Sequence, residues 1–409
     1  MHSSEVGIFI NGALGDIGSA VAAKVASNNN QGGRQAGLSV VGANFSGGLL
    51  GKDDPNTATV GDIDVARLFG ANFSNVSGRF PQGKFEHGTL YHPVYASMGQ
   101  VLPVGYTLGE KKEVLFDGQP VTATMTRDPN QITGFGFGSG SKMVVDATGA
   151  FKTPERVREV YQSFYEMYPD GIVMITCPWK LGDSDSRPPL IVSGAKDGES
   201  DIAEAIDQGM FSASSCTTNA VAPVLGVVAD KVGVDSIKVI GLNLSHAKTN
   251  SDRVSEIGQT FRSGSSGASQ ELAILYPVLA SNIGQVISTR ADVATGSIAH
   301  LSIICDIKGK VGSNDIEKLL REAMSDDDRL SGVSQFGKGY NSEGYRPSTK
   351  LDVVGSDTSS VILGISVDHL GSGTTVIGIE IGYDNVGGYS SVVARLAGRV
   401  LRVATGLGL

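Results

Sequence analysis

The chain reads as an α/β protein: a doubly wound parallel sheet over residues 1–215, then an α+β domain with a mostly antiparallel sheet over residues 216–387. Three observations predict this. Short apolar runs alternate with helix-like stretches in the first half, a glycine turn joins the first strand to the first helix, and β-rich runs lengthen in the second half. A C-terminal helix within 388–409 is expected to complete the first domain.

The elements follow in order. Residues 6–10 are a β-rich run, followed by glycines and the apolar series of residues 19–25, giving strand, turn and helix. A second strand is predicted at 38–41 and a glycine-rich acidic loop at 47–62. Residues 113–125 alternate as a strand or hairpin and end at Arg127-Asp128-Pro129. A buried strand at 143–146 enters Thr148-Gly149. Thr153 as N-cap with Pro154 at the first helical position then opens a helix through Tyr165. Further short buried strands are expected at 172–176 and 190–193. The second half carries β-rich runs at 237–244, 299–308, 359–367 and 374–383, with helices at 269–279 and 314–324. The last segment, 389–403, sets Val392, Val393, Leu396, Val400 and Leu401 on one helical stripe, suited to packing on the first domain.

Composition narrows the function. At 409 residues with 40% hydrophobic and 18% charged residues, the chain is expected to fold throughout, as two domains. A net charge of -9 leaves no overall positive field for nucleic acid, while a local site for a small anion remains compatible. Three cysteines, Cys177, Cys216 and Cys305, are too few and too far apart for a disulfide framework or a zinc cluster. A reducing, cytoplasmic setting without a structural metal is the expectation. The first five residues show no targeting signal, and no apolar run approaches the ~20 residues that cross a bilayer.

Two motifs carry chemistry. Gly12, Gly15 and Gly18 lie between strand and helix, where a tight turn lets a dinucleotide pyrophosphate approach the helix N-terminus. This gives the first domain a Rossmann-type reading. The second strand ends Val41-Gly42-Ala43-Asn44, without the carboxylate that often receives ribose hydroxyls, so both NAD and NADP stay open. The second motif is Ser212-Ala213-Ser214-Ser215-Cys216-Thr217-Thr218-Asn219, followed by the helical apolar series Val221, Val224, Leu225 and Val228. A thiol at a helix N-terminus has its thiolate stabilised by the dipole and the end N–H groups. Cys216 is therefore the candidate nucleophile; Cys177 and Cys305, on or beside apolar strands, are read as inert. His246, at a strand end in Ser245-His246-Ala247-Lys248-Thr249, is the candidate base.

The stretch SASSCTTNAVAP resembles the active-site signature of the phosphorylating glyceraldehyde-3-phosphate dehydrogenases. SHAKT, GSSGA, the Arg290 region and GYDNVGGYS follow in that family's order, so the likeness covers nearly the whole chain. The resemblance implies a thioester route: Cys216 attacks the aldehyde, His246 takes the hydroxyl proton as hydride leaves, and inorganic phosphate releases an acyl phosphate. It implies Thr249, Ser251 and Arg290 for the substrate's phosphate, and Ser215, Thr217, Ser266 and Gly267 for the attacking phosphate. On the cofactor side it implies Gly12, Gly15, Asp16, Ile17, Asn44, Arg127, Thr148, Gly149, Ser193, Asn385 and Tyr389. A homotetramer is implied as well. The chain departs from the family in a glycine loop one residue longer, in Asp16 where a basic residue is common, and in a shorter stretch between His246 and Gly267. A related substrate such as erythrose 4-phosphate, or a silent binding relative, are the competing readings.

Overall fold

The computed structural model of the chain describes residues 6–30, 38–45, 89–92, 102–109, 113–124, 126–132, 134–137, 140, 142–180, 189–247, 261–265, 267–284, 286–291, 295–307, 311–325, 329–338, 340 and 353–406. They form two compact units. The first comprises Met1–Pro189, Glu199–Ala213 and Val393–Leu409; the second comprises Leu190–Gly198 and Ser214–Val392.

The first unit is built on six strands in the order Met210–Ser212, Ile172–Ile175, Lys142–Asp146, Val6–Asn11, Leu38–Asn44 and Thr122–Thr124. Every neighbouring pair is parallel. The chain leaves the central strand Val6–Asn11 through the helix Asp16–Asn30, reaches Leu38–Asn44 on one side, and later returns to Lys142–Asp146 on the other. Val6–Asn11 is buried at all positions, as a parallel strand covered on both faces must be. A second, antiparallel sheet joins Thr89–Tyr91, Pro103–Leu108, Val114–Phe116 and Gln119–Pro120.

The strand expected at 190–193 is not formed, only an isolated Val192–Lys196 bridge, and the loop expected at 47–62 lies outside the described residues; two other expectations are refined. The alternating run at 113–125 is a hairpin turned at Asp117-Gly118, both with positive φ (50° and 78°), and its end, Thr122–Thr124, joins the parallel sheet. The helix after Thr153 opens as expected, with the Thr153 side chain accepting from the Arg156 N–H at 3.3 Å. It breaks at Tyr161 into Pro154–Val160 and Gln162–Met167. At that break the Tyr161 hydroxyl donates to Asp146 Oδ2 at 2.5 Å.

Polar side chains tie the carboxyl ends of the central strands together. Asn11 Nδ2 donates to Asp146 Oδ2 at 3.0 Å, and Asn44 Nδ2 donates to Asn11 Oδ1 at 2.8 Å and to the Thr126 carbonyl at 2.9 Å. Asn44 Oδ1 in turn accepts from the Thr126 N–H at 3.0 Å and the Thr124 hydroxyl at 3.2 Å. Both ends of the Asn44 amide are thus occupied inside the unit.

The second unit holds a seven-stranded mixed sheet in the order Phe261–Ser265, Ile287–Ala291, Ile237–Ala247, Gly296–Asp306, Thr374–Asp384, Ser360–His369 and Ser334–Phe336. Only the Ile287–Ala291/Ile237–Ala247 and Ser334–Phe336/Ser360–His369 pairs are parallel. Its core clusters Ala220, Val221, Val224, Leu225 and Val228 of the helix Cys216–Val232 with strand residues such as Leu242, Leu301, Ile379 and Ile381. Helices Ala268–Leu275 and Ser313–Ala323 stand where two were predicted, the first giving way at Pro277 to a short 3-10 turn. Helix Gly387–Ala404 begins in the second unit and ends in the first. No helix among the described residues is long and apolar enough to cross a membrane.

Two tests address the first unit. Asn44→Ala strips partners from Asn11 and Thr126 in a buried setting and should lower unfolding free energy by about 2–4 kcal/mol in denaturant titration. Asp146 is pushed up from the usual carboxylate range first by burial, against opposing hydrogen bonds from Thr148, Tyr161 and Asn11. A carboxyl raised on folding stabilises the fold below its unfolded value and loses that contribution as pH rises through its folded value. The melting temperature of Asp146→Asn should therefore gain on the wild type as pH is raised from acid to neutral; a constant gap would contradict this.

Candidate active site

The second unit builds its site on the first turn of Cys216–Val232. Ser215 caps this helix in an extended conformation, its Oγ accepting from the Thr218 N–H at 3.1 Å. Ser214, just before it, takes a φ of 65°, a region that costs a non-glycine residue and persists only where neighbours enforce it. Tyr389 does so: its buried hydroxyl donates to the Ser214 carbonyl at 2.7 Å. Cys216 follows as the first helical residue, half-buried and free of any disulfide.

His246 lies near the end of the strand Ile237–Ala247 and is 6% exposed. Its Nε2 stands 3.5 Å from Cys216 Sγ, and its Nδ1 stands 2.6 Å from the Ala247 carbonyl oxygen. A carbonyl only accepts, so Nδ1 carries the proton and Nε2 turns a lone pair to the thiol. That is the tautomer a base needs. The Asn385 amide lies 3.3 Å from Nδ1 and 2.7 Å from Ser297 Oγ, and Ser297 Oγ also receives the Ala247 N–H at 2.9 Å. The Tyr383 ring meets the imidazole edge to face at 6.0 Å, and its hydroxyl shares a 2.9 Å hydrogen bond with Thr217 Oγ1.

The remaining expected residues fall as follows. Arg290 pairs in register with His246 on the parallel strand Ile287–Ala291, its side chain lying outside the described residues. Thr249, Ser251 and Ser266 also lie outside them. Gly267 is exposed at the start of Ala268–Leu275, while Thr217 is 2% exposed and joined to Tyr383. Ser193 is half-buried in the same unit.

In the first unit, Gly12 has a φ of 81°, and a Cβ there would press on Thr148. At Gly18 a Cβ would run into the Gly12 carbonyl. Both glycines are thus required by the turn itself. Gly15 donates back to the Gly12 carbonyl at 3.0 Å, and Asp16 and Ile17 begin the helix Asp16–Asn30. The Gly12 and Ala13 N–H groups both donate to the Asn44 carbonyl, at 3.2 and 3.0 Å. Thr148 is exposed and donates to Asp146 Oδ1 at 2.6 Å; Gly149 follows with a φ of 65°. Arg127 is exposed. Strand, glycine turn and helix fit a dinucleotide's pyrophosphate. Asn44, with its amide occupied, is a brace for that turn.

Two residues of the second-unit site escaped sequence reasoning. Tyr383 ended a predicted strand and carried no signal beyond that. Glu271 did carry one: a lone acid on the face of a predicted helix otherwise lined by Ala268, Leu272 and Leu275. It is 3% exposed, and Thr218 and Ser215 hydroxyls contact its Oε2 at 2.6 and 3.0 Å.

The second unit thus sets a helix-end thiol against an imidazole, and the first unit holds a parallel sheet with a glycine turn. Residues 215–367 match the family model described as glyceraldehyde 3-phosphate dehydrogenase, C-terminal domain. Glyceraldehyde-3-phosphate dehydrogenase of Borreliella burgdorferi is 26% identical over 265 residues, 62% of this chain and 71% of that protein. Glyceraldehyde-3-phosphate dehydrogenase 1 of Agaricus bisporus is 25% identical over 61% of this chain and 69% of its own length. Glyceraldehyde-3-phosphate dehydrogenase 1 of Bacillus subtilis is 25% identical over 62% and 70%. Over residues 215–367 the chain is thus similar to the C-terminal domain of the glyceraldehyde-3-phosphate dehydrogenases, and about 62% of it resembles those relatives at about 25% identity.

The three thiols should differ in chemistry. Cys305 is fully buried, and burial first and Asp306 second push its thiol up; Cys177 is 9% exposed. Iodoacetamide at neutral pH should label Cys216 alone in the native protein, and His246→Gln should slow that labelling by about tenfold or more. Equal labelling rates in the two proteins, followed by mass spectrometry of the peptides, would break the pairing.

Proposed function

We propose that this chain oxidises a phosphorylated aldehyde, glyceraldehyde 3-phosphate as first choice, with NAD or NADP and through a thioester on Cys216. One observation carries the reading: the 3.5 Å approach of Cys216 Sγ to an Nε2 whose partner nitrogen is tied to a carbonyl. From it the roles follow. Cys216 gives its proton to His246 and attacks the aldehyde carbon. His246 then takes the proton of the resulting hydroxyl while hydride departs, leaving a thioester on sulfur. A nicotinamide cofactor, when bound, supplies the hydride acceptor.

Support for that cofactor comes from the parallel sheet and its Gly12–Gly18 turn, and the absence of a carboxylate at Asn44 keeps both nicotinamides in play. The register of Arg290 with His246 supports a phosphate-bearing substrate. The same reading carries a cytoplasmic homotetramer, with sedimentation of the purified chain as the check on assembly.

Cys216→Ser should abolish reduction of the cofactor with glyceraldehyde 3-phosphate, and His246→Ala should lower it on the order of 10²–10⁴-fold. A panel with erythrose 4-phosphate separates the nearest substrate. Undiminished turnover in the serine variant would refute the thioester, and failure to bind either nicotinamide would favour a silent binding protein.

A further inference from the structure

Within the second unit, the first turn of the Cys216 helix holds a carboxyl that the thioester chemistry does not call for. Glu271 projects from Ala268–Leu275, a helix packed against Cys216–Val232. Its side chain is 3% exposed.

One of its carboxyl oxygens belongs to a triangle. Glu271 Oε2 lies 2.6 Å from Thr218 Oγ1 and 3.0 Å from Ser215 Oγ, and those two hydroxyl oxygens lie 2.8 Å from each other. Each hydroxyl donates its one proton to that shared carboxyl oxygen, which brings the two hydroxyl oxygens together without a proton of their own between them. Burial holds Glu271 above the usual carboxylate range, against opposing hydrogen bonds from Thr218, Ser214 and Ser215. Both hydroxyl protons are thus directed at Glu271, and the Thr218 N–H also ends on Ser215 Oγ at 3.1 Å.

Ser215 precedes the nucleophile and is one of the residues the family resemblance assigns to the attacking phosphate. In this chain its hydroxyl is already committed. An oxyanion seeking it would have to displace the carboxyl from both hydroxyls and come to lie beside that buried acid, a change that a buried site resists. Water makes no such demand.

We propose that Glu271 selects the acyl acceptor: by occupying the hydroxyls of Ser215 and Thr218, it makes inorganic phosphate a poor acceptor, so that the Cys216 thioester passes to water. This deepens the thioester reading and rests on it. Water oxygen bonds to the acyl carbon and the carbon–sulfur bond breaks. One water proton passes through His246 Nε2 to the departing thiolate, and the product leaves as a carboxylic acid that ionises in solution. No electrons move in this step. Glu271 acts through Ser215 and Thr218 and is a specificity residue; Cys216 and His246 keep the chemistry.

The test follows product identity by phosphorus NMR during turnover of glyceraldehyde 3-phosphate, with and without inorganic phosphate, in the wild type, Glu271→Ala and Glu271→Gln. The wild type should turn over without phosphate and release the carboxylate. Glu271→Ala frees both hydroxyls and should shift partition toward acyl phosphate by about tenfold or more. Glu271→Gln keeps an amide oxygen that accepts from both hydroxyls, so it should keep the wild-type partition, a rescue that mere loss of packing would not produce. Strict dependence of wild-type turnover on phosphate, or an unchanged partition in the alanine variant, overturns the proposal. If the alanine variant does not fold, the phosphate dependence of the wild type and the glutamine variant decides alone. Absence of any burst of reduced cofactor from the wild type sinks the thioester reading and this proposal together; a burst followed by phosphate-dependent release sinks only the role of Glu271.

Discussion

The N-terminus of the Cys216–Val232 helix is the constraint on which the second unit depends. A helix end presents N–H groups that must be satisfied or used, and burying it without partners is costly. This helix is buried almost throughout from Thr217 to Ala229. Its start must nevertheless leave Cys216 half-open beside His246. The chain meets both demands with a left-handed residue, Ser214, and a cap, Ser215, held by tyrosine and glutamate side chains from other segments. Each brace reaches the backbone or a hydroxyl and leaves the sulfur alone.

The first unit solves a comparable problem differently. Its central strands end together, and the turn after Val6–Asn11 must stay tight enough for a ligand to approach. Gly12 achieves the turn by its positive φ, and Asn44 fixes it from the neighbouring strand through its carbonyl oxygen. The asparagine that sequence reasoning placed on the cofactor side has its amide turned inward to Asn11 and Thr126. A polar residue at a strand end answers equally to a ligand or to its neighbours. Only the count of its hydrogen bonds tells which.

Much of this was legible in the residues. Periodicity located the strands because a parallel strand covered on both faces must be continuously apolar, as Val6–Asn11 and Ile172–Ile175 are. Thr153 with Pro154 announced one helix start, and the string around Cys216 announced another. The break at Tyr161 was hidden, since it accompanies a hydroxyl reaching Asp146, 15 residues earlier in the chain. The tie between Thr217 and Tyr383 spans 166 residues and leaves no local trace. Glu271 lay between these cases: an acid on an apolar helical face signals a buried partner, but not that the partners are Ser215 and Thr218.

The contacts of the second-unit site fall into two groups that touch different atoms. Forming a thioester needs a thiol, a base and the base's correct tautomer, and those depend on the helix start, the strand end at His246 and the Ala247 carbonyl. Resolving the thioester needs only that some nucleophile reach the same carbon. Its choice depends on hydroxyls and charge around the cap, which touch neither the sulfur nor the imidazole. On the proposed thioester route, a carboxyl at position 271 would act on the second half-reaction while leaving the geometry of the first in place.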